Sequence, residues 1–257
     1  MKNGFRTIVA VTVIGTACSS VHATDVGMPL YSSAIGKKGN AEVYYEQYKR
    51  DVKQDGDLGP STGEQEESRI IARLNYHASP SASLYAEVGL TDSDQSEGNV
   101  PLFGAGLKIK VYDKEVLQVN AFASITYVPE IEYKSDGYVD YTQYGYEWVD
   151  TPDFIQKESY MEINGGLAIS KFIQLDESTT LTPYGGFMLS KLDGDEDFEF
   201  KYHVQERTEK ANGEIEDDGI FSLFAGLGLT LDDTWGIRFE GRFINQSSFS
   251  AGLMYFF

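Results

Sequence analysis

Apolar and polar residues alternate with a period of two along most of the chain after residue 39, which is typical of β-strands rather than helices. The final segment alternates from end to end, with one apolar face formed by Phe249, Ala251, Leu253, Tyr255 and Phe257. Nine earlier segments alternate in the same way: 40–50, 67–76, 82–90, 102–112, 116–127, 158–171, 179–190, 219–231 and 235–244. The pattern therefore predicts ten antiparallel strands, each near the length that spans a bilayer.

The connections between these segments alternate between short and long. Short turns are expected at 77–81, 112–115, 172–178 and 232–234, and long polar loops at 51–66, 91–101, 128–157 and 191–218. This asymmetry is typical of an up-and-down transmembrane β-barrel with short periplasmic turns and longer outer loops. Eight or twelve strands remain alternatives. A soluble β-sandwich would also alternate, but it explains neither the loop asymmetry nor a chain that stops on Phe257.

The closing segment resembles a known family pattern. A terminal Phe preceded by alternate apolar positions is similar to the last strand of bacterial outer-membrane β-barrel proteins, in particular the small OmpA-like and opacity-type barrels. The resemblance extends over 40–257 and implies location in the outer membrane, among its lipid and lipopolysaccharide. It also implies that the barrel assembly machinery reads the closing strand. We expect the barrel to be a monomer.

The N-terminus has the features of a targeting segment. Lys2 and Arg6 precede an apolar stretch over 8–17, and Val21-His22-Ala23 has the small-x-small pattern of a signal-peptide cleavage site. We expect residues 1–23 to be a signal peptide, 24–39 a periplasmic lead-in and 40–257 the barrel. Lipidation at Cys18 is the alternative to cleavage after Ala23.

Composition and charge narrow the classes of partner. The formal net charge is −19, so nucleic acid is not an expected partner, because its phosphates would be repelled. No apolar run after residue 23 approaches the roughly 20 residues that a transmembrane helix requires.

The face predicted to point into the lumen carries nearly balanced charge. Its ionisable residues are Glu42, Glu46, Arg69, Arg73, Glu87, Lys108, Lys110, Glu162, Arg238, Glu240 and Arg242. An unpaired ion in a narrow, low-dielectric lumen is costly, so this set predicts ion pairs across the interior and a closed barrel. The alternative is a narrow conduit for small solutes, lined by the same charges.

The expected outer loops are acidic and aromatic. Residues 191–218 contain many more Asp and Glu than Lys and Arg, and 193–197 resembles a calcium loop only loosely. The third loop contains aromatic residues that predict a projecting surface hairpin: Tyr138, Tyr141, Tyr144, Tyr146 and Trp148. Together with the closed lumen, these loops predict a non-enzymatic role in envelope integrity or surface interaction. An extension of the barrel wall is the alternative interpretation of the aromatic segment.

The sequence offers little support for catalysis. After residue 23 the histidines are His77, in an expected periplasmic turn, and His203, which lacks a neighbouring Asp. Neither has a serine beside it in a recognisable catalytic arrangement. We therefore expect no enzyme activity, no cofactor and no resident metal.

Overall fold

A computed structural model describes residues 36–57, 59–92, 98–114, 117–136, 138–141, 148–202, 206–217, 219–244 and 246–257. These residues form strands and turns, and a membrane-spanning helix is absent from them. The strands are β1 (Gly39–Gly56), β2 (Ser61–Ser79), β3 (Ala82–Asp92), β4 (Val100–Lys114), β5 (Leu117–Ser135), β6 (Tyr138–Tyr141), β7 (Trp148–Thr151), β8 (Asp153–Lys171), β9 (Ile173–Gln174), β10 (Thr179–Tyr202), β11 (Arg207–Asp217), β12 (Phe221–Leu231), β13 (Trp235–Phe243) and β14 (Gln246–Phe256).

Ten of these strands close into an antiparallel ring. Its order is β1, β2, β3, β4, β5, β8, β10, β12, β13 and β14, and β14 pairs back onto β1. The seam runs in register from Asn40 opposite Phe256 to Arg50 opposite Gln246. Closure leaves no unpaired edge within the ring, as a sheet in lipid requires. The predicted up-and-down barrel is confirmed.

The outer face of the ring is an apolar belt. On β14, Leu253 and Tyr255 are exposed, as is Phe257 directly after it, while Phe249 and Ala251 on the same face are partly exposed. At the end of the barrel with short turns, the rings of Trp235 and Tyr255 meet with centroids 5.0 Å apart, where aromatic side chains favour a membrane interface. The apolar face predicted from the closing strand therefore points outward along its length.

Three of the predicted long loops are instead largely strand. Within the loop expected over 128–157, β5 continues to Ser135, β6 and β7 pair with each other, and β8 begins at Asp153. β1 continues to Gly56 and β2 begins at Ser61, so little of the expected loop over 51–66 remains. β10 continues to Tyr202, and β11 returns beside it within the expected loop over 191–218. Periodicity missed these extensions because beyond the lipid both faces of a strand can be polar.

The long strands form a second structure beyond the belt, which we call the extracellular sheet. Its order is β2, β1, β11, β10, β8 and β5, with β11 bridging β1 and β10. β3 ends at Asp92 and β4 begins at Val100, so the edges of β2 and β5 continue beyond both. The extracellular sheet thus has a side opening between these two edges among the described strands.

Several sequence predictions fall wholly or partly outside the described residues. The signal peptide, Cys18, Tyr144 and Tyr146 lie outside them, as does most of the lead-in. In the aromatic segment, β6 pairs with β7 from Tyr138 opposite Thr151 to Tyr141 opposite Trp148. The predicted hairpin therefore exists as backbone over these eight positions.

Candidate functional site

The ring encloses a packed polar interior rather than an open channel. The lumen-facing charged residues predicted from the sequence are buried, with Lys110 as the exception: Glu42, Glu46, Arg69, Arg73, Glu87, Lys108, Glu162, Arg238, Glu240 and Arg242. Lys110 lies nearer the periplasmic end, where its Nζ is 2.5 Å from Oδ2 of Asp113. We call the buried set, together with Arg50 and Glu67, the interior charge network.

Near the seam, Arg238 joins strands that are not neighbours. Its Nε donates to Oε1 of Glu42 over 2.8 Å, which links β13 to β1 past β14. On the adjacent wall, the hydroxyl of Tyr184 donates to Oε2 of Glu240 over 2.9 Å. These contacts are charge-assisted, which makes them stronger than hydrogen bonds between neutral groups.

A second group centres on Arg73. Its Nε donates to Oε2 of Glu87 over 2.9 Å, and its guanidinium lies 4.5 Å from the centroid of the Tyr85 ring. The hydroxyl of Tyr44 also donates to Glu87, over 3.1 Å. One carboxylate therefore accepts from both a cation and a phenol, and the tyrosine rings cover the cation.

A third group lies towards the extracellular end. Arg69 donates from Nε to Glu67 over 3.0 Å and from its Nη2 atom to the Tyr160 hydroxyl over 2.9 Å. Tyr160 in turn donates to Glu67 over 2.6 Å. The Arg69 guanidinium stacks 4.0 Å from the centroid of the Tyr48 ring. This three-residue cycle occupies the lumen at this level.

Sequence reasoning missed two members of the network and its aromatic component. Arg50 and Glu67 are both buried, so the network contains Arg50, Arg69, Arg73, Lys108, Arg238 and Arg242 against Glu42, Glu46, Glu67, Glu87, Glu162 and Glu240. The charges of these described residues balance. Both could have been predicted from the alternation. Arg50 lies on the same face of β1 as Glu42 and Glu46, and Glu67 lies on the same face of β2 as Arg69 and Arg73.

Interior glycines make room for tyrosine rings. A Cβ added at Gly226 would lie 2.2 Å from Cζ of Tyr184, and one at Gly106 would lie 2.3 Å from Cζ of Tyr85. Each ring therefore occupies the space above the paired glycine of the neighbouring strand, which has no side chain. At both positions the absence of a side chain relieves crowding by the tyrosine ring of the neighbouring strand.

An apolar layer covers the interior charge network on its extracellular side. Its fully or almost fully buried members come from five strands: Val52, Leu102, Val128, Ile131, Leu192 and Ile215. Such a layer excludes water from the polar groups below it, which strengthens their electrostatic interactions. Among the described residues, the lumen is therefore filled first by ion pairs and then by hydrocarbon.

Beyond this layer lies a cavity of about 350 Å³, which we call the mouth cavity. Its polar lining residues are Gln54, Glu64, Gln65, Glu66, Tyr133, Gln156 and Glu158, of which Glu64 and Glu66 are exposed and pair with Lys49. Val52 and Ile215 of the apolar layer form part of the same wall. The mouth cavity lies between the edges of β2 and β5, where the extracellular sheet opens.

Two carboxyl groups meet beside the mouth cavity. Glu158 on β8 is opposite Glu196 on β10, and both are buried. Gln156 bridges them, donating to Glu158 over 2.5 Å and to Glu196 over 2.9 Å. Burial, followed by repulsion from Glu196, raises the pKa of Glu158 to about 8. Burial also raises the pKa of Glu196.

The histidines do not form a recognisable catalytic centre in the described part of the chain. The backbone of His77 donates to the Lys38 carbonyl over 2.8 Å at the periplasmic end, and His203 lies outside the described residues. No group of three or more His, Cys, Asp or Glu side chains suited to a metal ion occurs among the residues that the structure describes.

Comparison with known proteins identifies the fold. No protein-family model and no curated protein sequence matches this chain. The outer-membrane protease OmpT from Escherichia coli is similar in structure, with a TM-score of 0.53 and 10% identity over 86% of this chain and 97% of OmpT. The translocator domain of the autotransporter NalP from Neisseria meningitidis aligns with a TM-score of 0.43 and 12% identity over 97% of this chain and 96% of that domain. Ail of Yersinia pestis aligns with a TM-score of 0.28 and 10% identity over 85% of this chain and 98% of Ail.

At such low identity the likeness to OmpT concerns the fold alone. That fold is the bacterial outer-membrane β-barrel, and the expected resemblance to this class is confirmed. A closed ring with an outward apolar belt is stable only in lipid, because water would face that belt. The protein is therefore an outer-membrane β-barrel located in the bacterial outer membrane.

Proposed function

We propose that this protein is a non-conducting, non-enzymatic outer-membrane barrel whose role lies in interactions at its extracellular sheet. The observation that carries the proposal is the closure of the lumen in two layers, the interior charge network and the apolar layer above it. A ten-stranded barrel is only slightly wider than the eight-stranded size that side chains fill. Large buried side chains such as Arg69, Tyr48 and Tyr160 occupy that width here.

The extracellular sheet supplies the interaction surface. Its strands β10 and β11 carry exposed carboxylates at Asp193, Asp195 and Glu214, among others. The chain as a whole has a formal net charge of −19. This charge favours cationic partners and disfavours anionic ones at low ionic strength.

Liposome swelling tests the closed lumen against the narrow-pore alternative. We expect vesicles that contain the refolded protein to swell in a small neutral sugar no faster than protein-free vesicles. Swelling that increases with protein content and falls with sugar size would overturn the proposal in favour of a passive pore. Migration that changes on boiling before electrophoresis verifies in each preparation that the barrel is folded.

A further inference from the structure

Three phenylalanines lie together on the extracellular sheet, beyond the lipid-facing belt. Phe154 on β8 is opposite Phe200 on β10, and the centroids of these two rings are 5.3 Å apart. The ring of Phe198 stacks on the other side of Phe154, with centroids 5.9 Å apart. All three side chains are partly exposed. Apolar surface that is exposed outside the lipid marks a place where a ligand or partner can bind, and we call these three residues the aromatic platform.

The aromatic platform faces the inside of the extracellular sheet. Strand alternation places Phe154 on the same face of β8 as Gln156 and Glu158. It places Phe198 on the same face of β10 as Glu196. The rings therefore continue the inner wall that begins at the mouth cavity, and they are not part of the outer face that carries Asp193 and Asp195.

A second cavity of about 220 Å³ lies between the aromatic platform and the mouth cavity. Phe198 and Glu196 line it, and Gln54 lines both cavities. On β11, Gly213 is opposite Glu196, and a Cβ added there would lie 3.6 Å from Cε2 of Phe198. Because Gly213 has no side chain, this edge of the Phe198 ring faces the second cavity.

Side-chain amides lie directly beside the rings. Gln156 is opposite Phe198 in the register, and its Nε2 donates to Oε1 of Glu196 over 2.9 Å. Gln54 donates to the same carboxyl oxygen over 2.6 Å. Among the described residues that line either cavity, none is a lysine, arginine or histidine. The inner wall thus combines aromatic rings with planar polar groups and lacks a cation among these residues.

We propose that the aromatic platform and the two adjoining cavities bind a neutral oligosaccharide, with one pyranose ring stacked on Phe198 and its hydroxyl groups hydrogen-bonded to Gln156 and Gln54. The C–H face of such a ring is apolar and slightly positive, so it fits the negative face of an aromatic ring. Each hydroxyl both donates and accepts, which suits amide and carboxyl groups. The inference rests on the proposed surface-interaction function and names the class of ligand.

The electrostatics of the wall favour a neutral ligand over a charged one. An anionic ligand would find no cation among the described lining residues, in a chain with a formal net charge of −19. Burial and the neighbouring Glu196 raise the pKa of Glu158 to about 8, so this carboxyl pair holds a proton at neutral pH and attracts a cation less strongly. A purely apolar ligand would bury the amide groups against hydrocarbon at a cost in free energy.

The site is long enough for more than one sugar ring and is open to the outside. From Glu158 to Phe154 the strand rises roughly 13 Å, at about 3.3 Å per residue. The side opening between β2 and β5 gives access to the mouth cavity at one end of this length. A concave wall with aromatic rings and a few polar groups is typical of sites that bind small organic ligands.

Saturation-transfer NMR of the refolded chain, in a detergent without a sugar headgroup, tests the proposal. The probes are cellotriose, maltotriose and triacetylchitotriose, and sorbitol is the control because it has hydroxyl groups but no ring face. We expect at least one trisaccharide to bind with a Kd of about 1 mM, with the strongest transfer to the C–H protons of one ring face.

Variants of the aromatic platform locate the binding. Phe198→Leu keeps an apolar side chain without the aromatic face and should weaken binding about tenfold, whereas Phe198→Tyr should retain it. Gln156→Leu should also weaken binding about tenfold. Phe187→Leu is the matched control on the same strand, because Phe187 is exposed on the lipid face and stacks on Phe221. It should leave binding unchanged.

Three results would overturn the site: no binding of any of the trisaccharides at about 20 times the expected Kd, equal binding of sorbitol, or equal losses in Phe198→Leu and Phe187→Leu. All variants are first checked for boiling-dependent migration, so that misfolding is not taken for lost binding. Swelling measured with the same protein keeps the two proposals separate. Solute passage with binding retained contradicts only the closed lumen, whereas absent binding in a closed barrel contradicts only the site.

Discussion

Nε of Arg238 donates to Oε1 of Glu42 over 2.8 Å, and the two residues are 196 positions apart in the sequence. Arg238 lies on β13 and Glu42 on β1, so the ion pair spans β14, the strand that closes the barrel. Both side chains are buried. The seam between the first and last strands is therefore fixed by a side-chain pair in the lumen as well as by backbone hydrogen bonds.

Breaking this pair should destabilise the barrel more than removing it altogether. Arg238→Met leaves Glu42 buried without its cation, and we expect the free energy of unfolding to fall by about 3–5 kcal/mol. The double variant Arg238→Met, Glu42→Met should recover much of that loss, because hydrocarbon can replace a buried ion pair at little cost. Urea unfolding in vesicles measures the free energy of unfolding of the wild type, the single variant and the double variant.

The matched control for this prediction is Lys201→Gln. Lys201 is exposed and pairs with Glu199 on the extracellular sheet over 3.3 Å. An exposed pair contributes about 0–1 kcal/mol, so this variant should unfold close to the wild type. Equal losses in Arg238→Met and Lys201→Gln would contradict the role assigned to the seam pair.

The interior glycines provide a second test of packing. Gly226→Ala places a Cβ against the Tyr184 ring, and we expect a loss of about 1–3 kcal/mol in the free energy of unfolding. Gly165→Ala is the control, since its added Cβ would meet the Phe122 carbonyl oxygen at an ordinary 3.7 Å. The interpretation of Gly226 fails if the two variants unfold alike.

The ring and the lumen face could be predicted because lipid imposes a strict contrast between neighbouring side chains. Leu253 must face hydrocarbon while Met254 beside it faces the interior, and that contrast is visible as a period of two. The same reasoning found Arg69 and Glu87 on one wall. It did not predict which groups pair, because pairing depends on strand register and on tyrosines such as Tyr160, whose polar or apolar role cannot be assigned from the sequence.

The extracellular sheet was not predictable on the same grounds. In β11, charged residues such as Glu209 and Glu214 occur on opposite faces. This strand lies outside the lipid, so no contrast between apolar and polar neighbours is required. The mouth cavity depends further on contacts between distant strands, such as Gln54 on β1 with Glu196 on β10. Only the fold brings these amides and carboxyls together.

The carboxyl pair predicts how the stability of the extracellular sheet depends on pH. The pKa of Glu158 rises from 4.5 to about 8 on folding, so the protonated carboxyl stabilises the folded state. That contribution is complete at low pH and is lost as the pH rises through about 8. Hydrogen-exchange protection around Glu158 and Glu196, corrected for the intrinsic pH dependence of exchange, should therefore decrease as the pH rises from 4.5 to about 8.

The control for the pH prediction is Glu158→Gln, which cannot ionise. Its protection factors should vary less with pH than those of the wild type over the same range. An unchanged pH profile in this variant would show that another group is responsible. Protection that increases towards high pH in the wild type would contradict the sign of the prediction.

The closing strand predicts separate effects on assembly and on stability. The carbonyl of Phe257 accepts from the backbone of Lys38 over 2.8 Å, while the side chain is exposed on the lipid face. Phe257→Ala keeps that backbone contact, so the free energy of unfolding of the refolded barrel should change by less than about 1 kcal/mol. If the assembly machinery reads this residue, the amount of folded protein in cells should nevertheless fall severalfold, as measured by heat-dependent migration of membrane fractions.

Leu253→Ala is the companion variant for assembly. It truncates a lipid-facing side chain of the same strand but retains the terminal aromatic residue. We expect its level in cells to stay closer to that of the wild type. Equal losses for the two variants would show that general apolarity, and not the terminal Phe, determines assembly.

Single-channel recording in a planar bilayer tests the closed lumen most directly. The wild-type barrel should show no stepwise openings, because the Arg69–Glu67–Tyr160 group and the apolar layer fill the lumen within the part of the chain that the structure describes. Replacing Arg69 and Tyr160 together with Gly in a folded variant should create measurable conductance. Reproducible openings of defined size in the wild type would contradict the account.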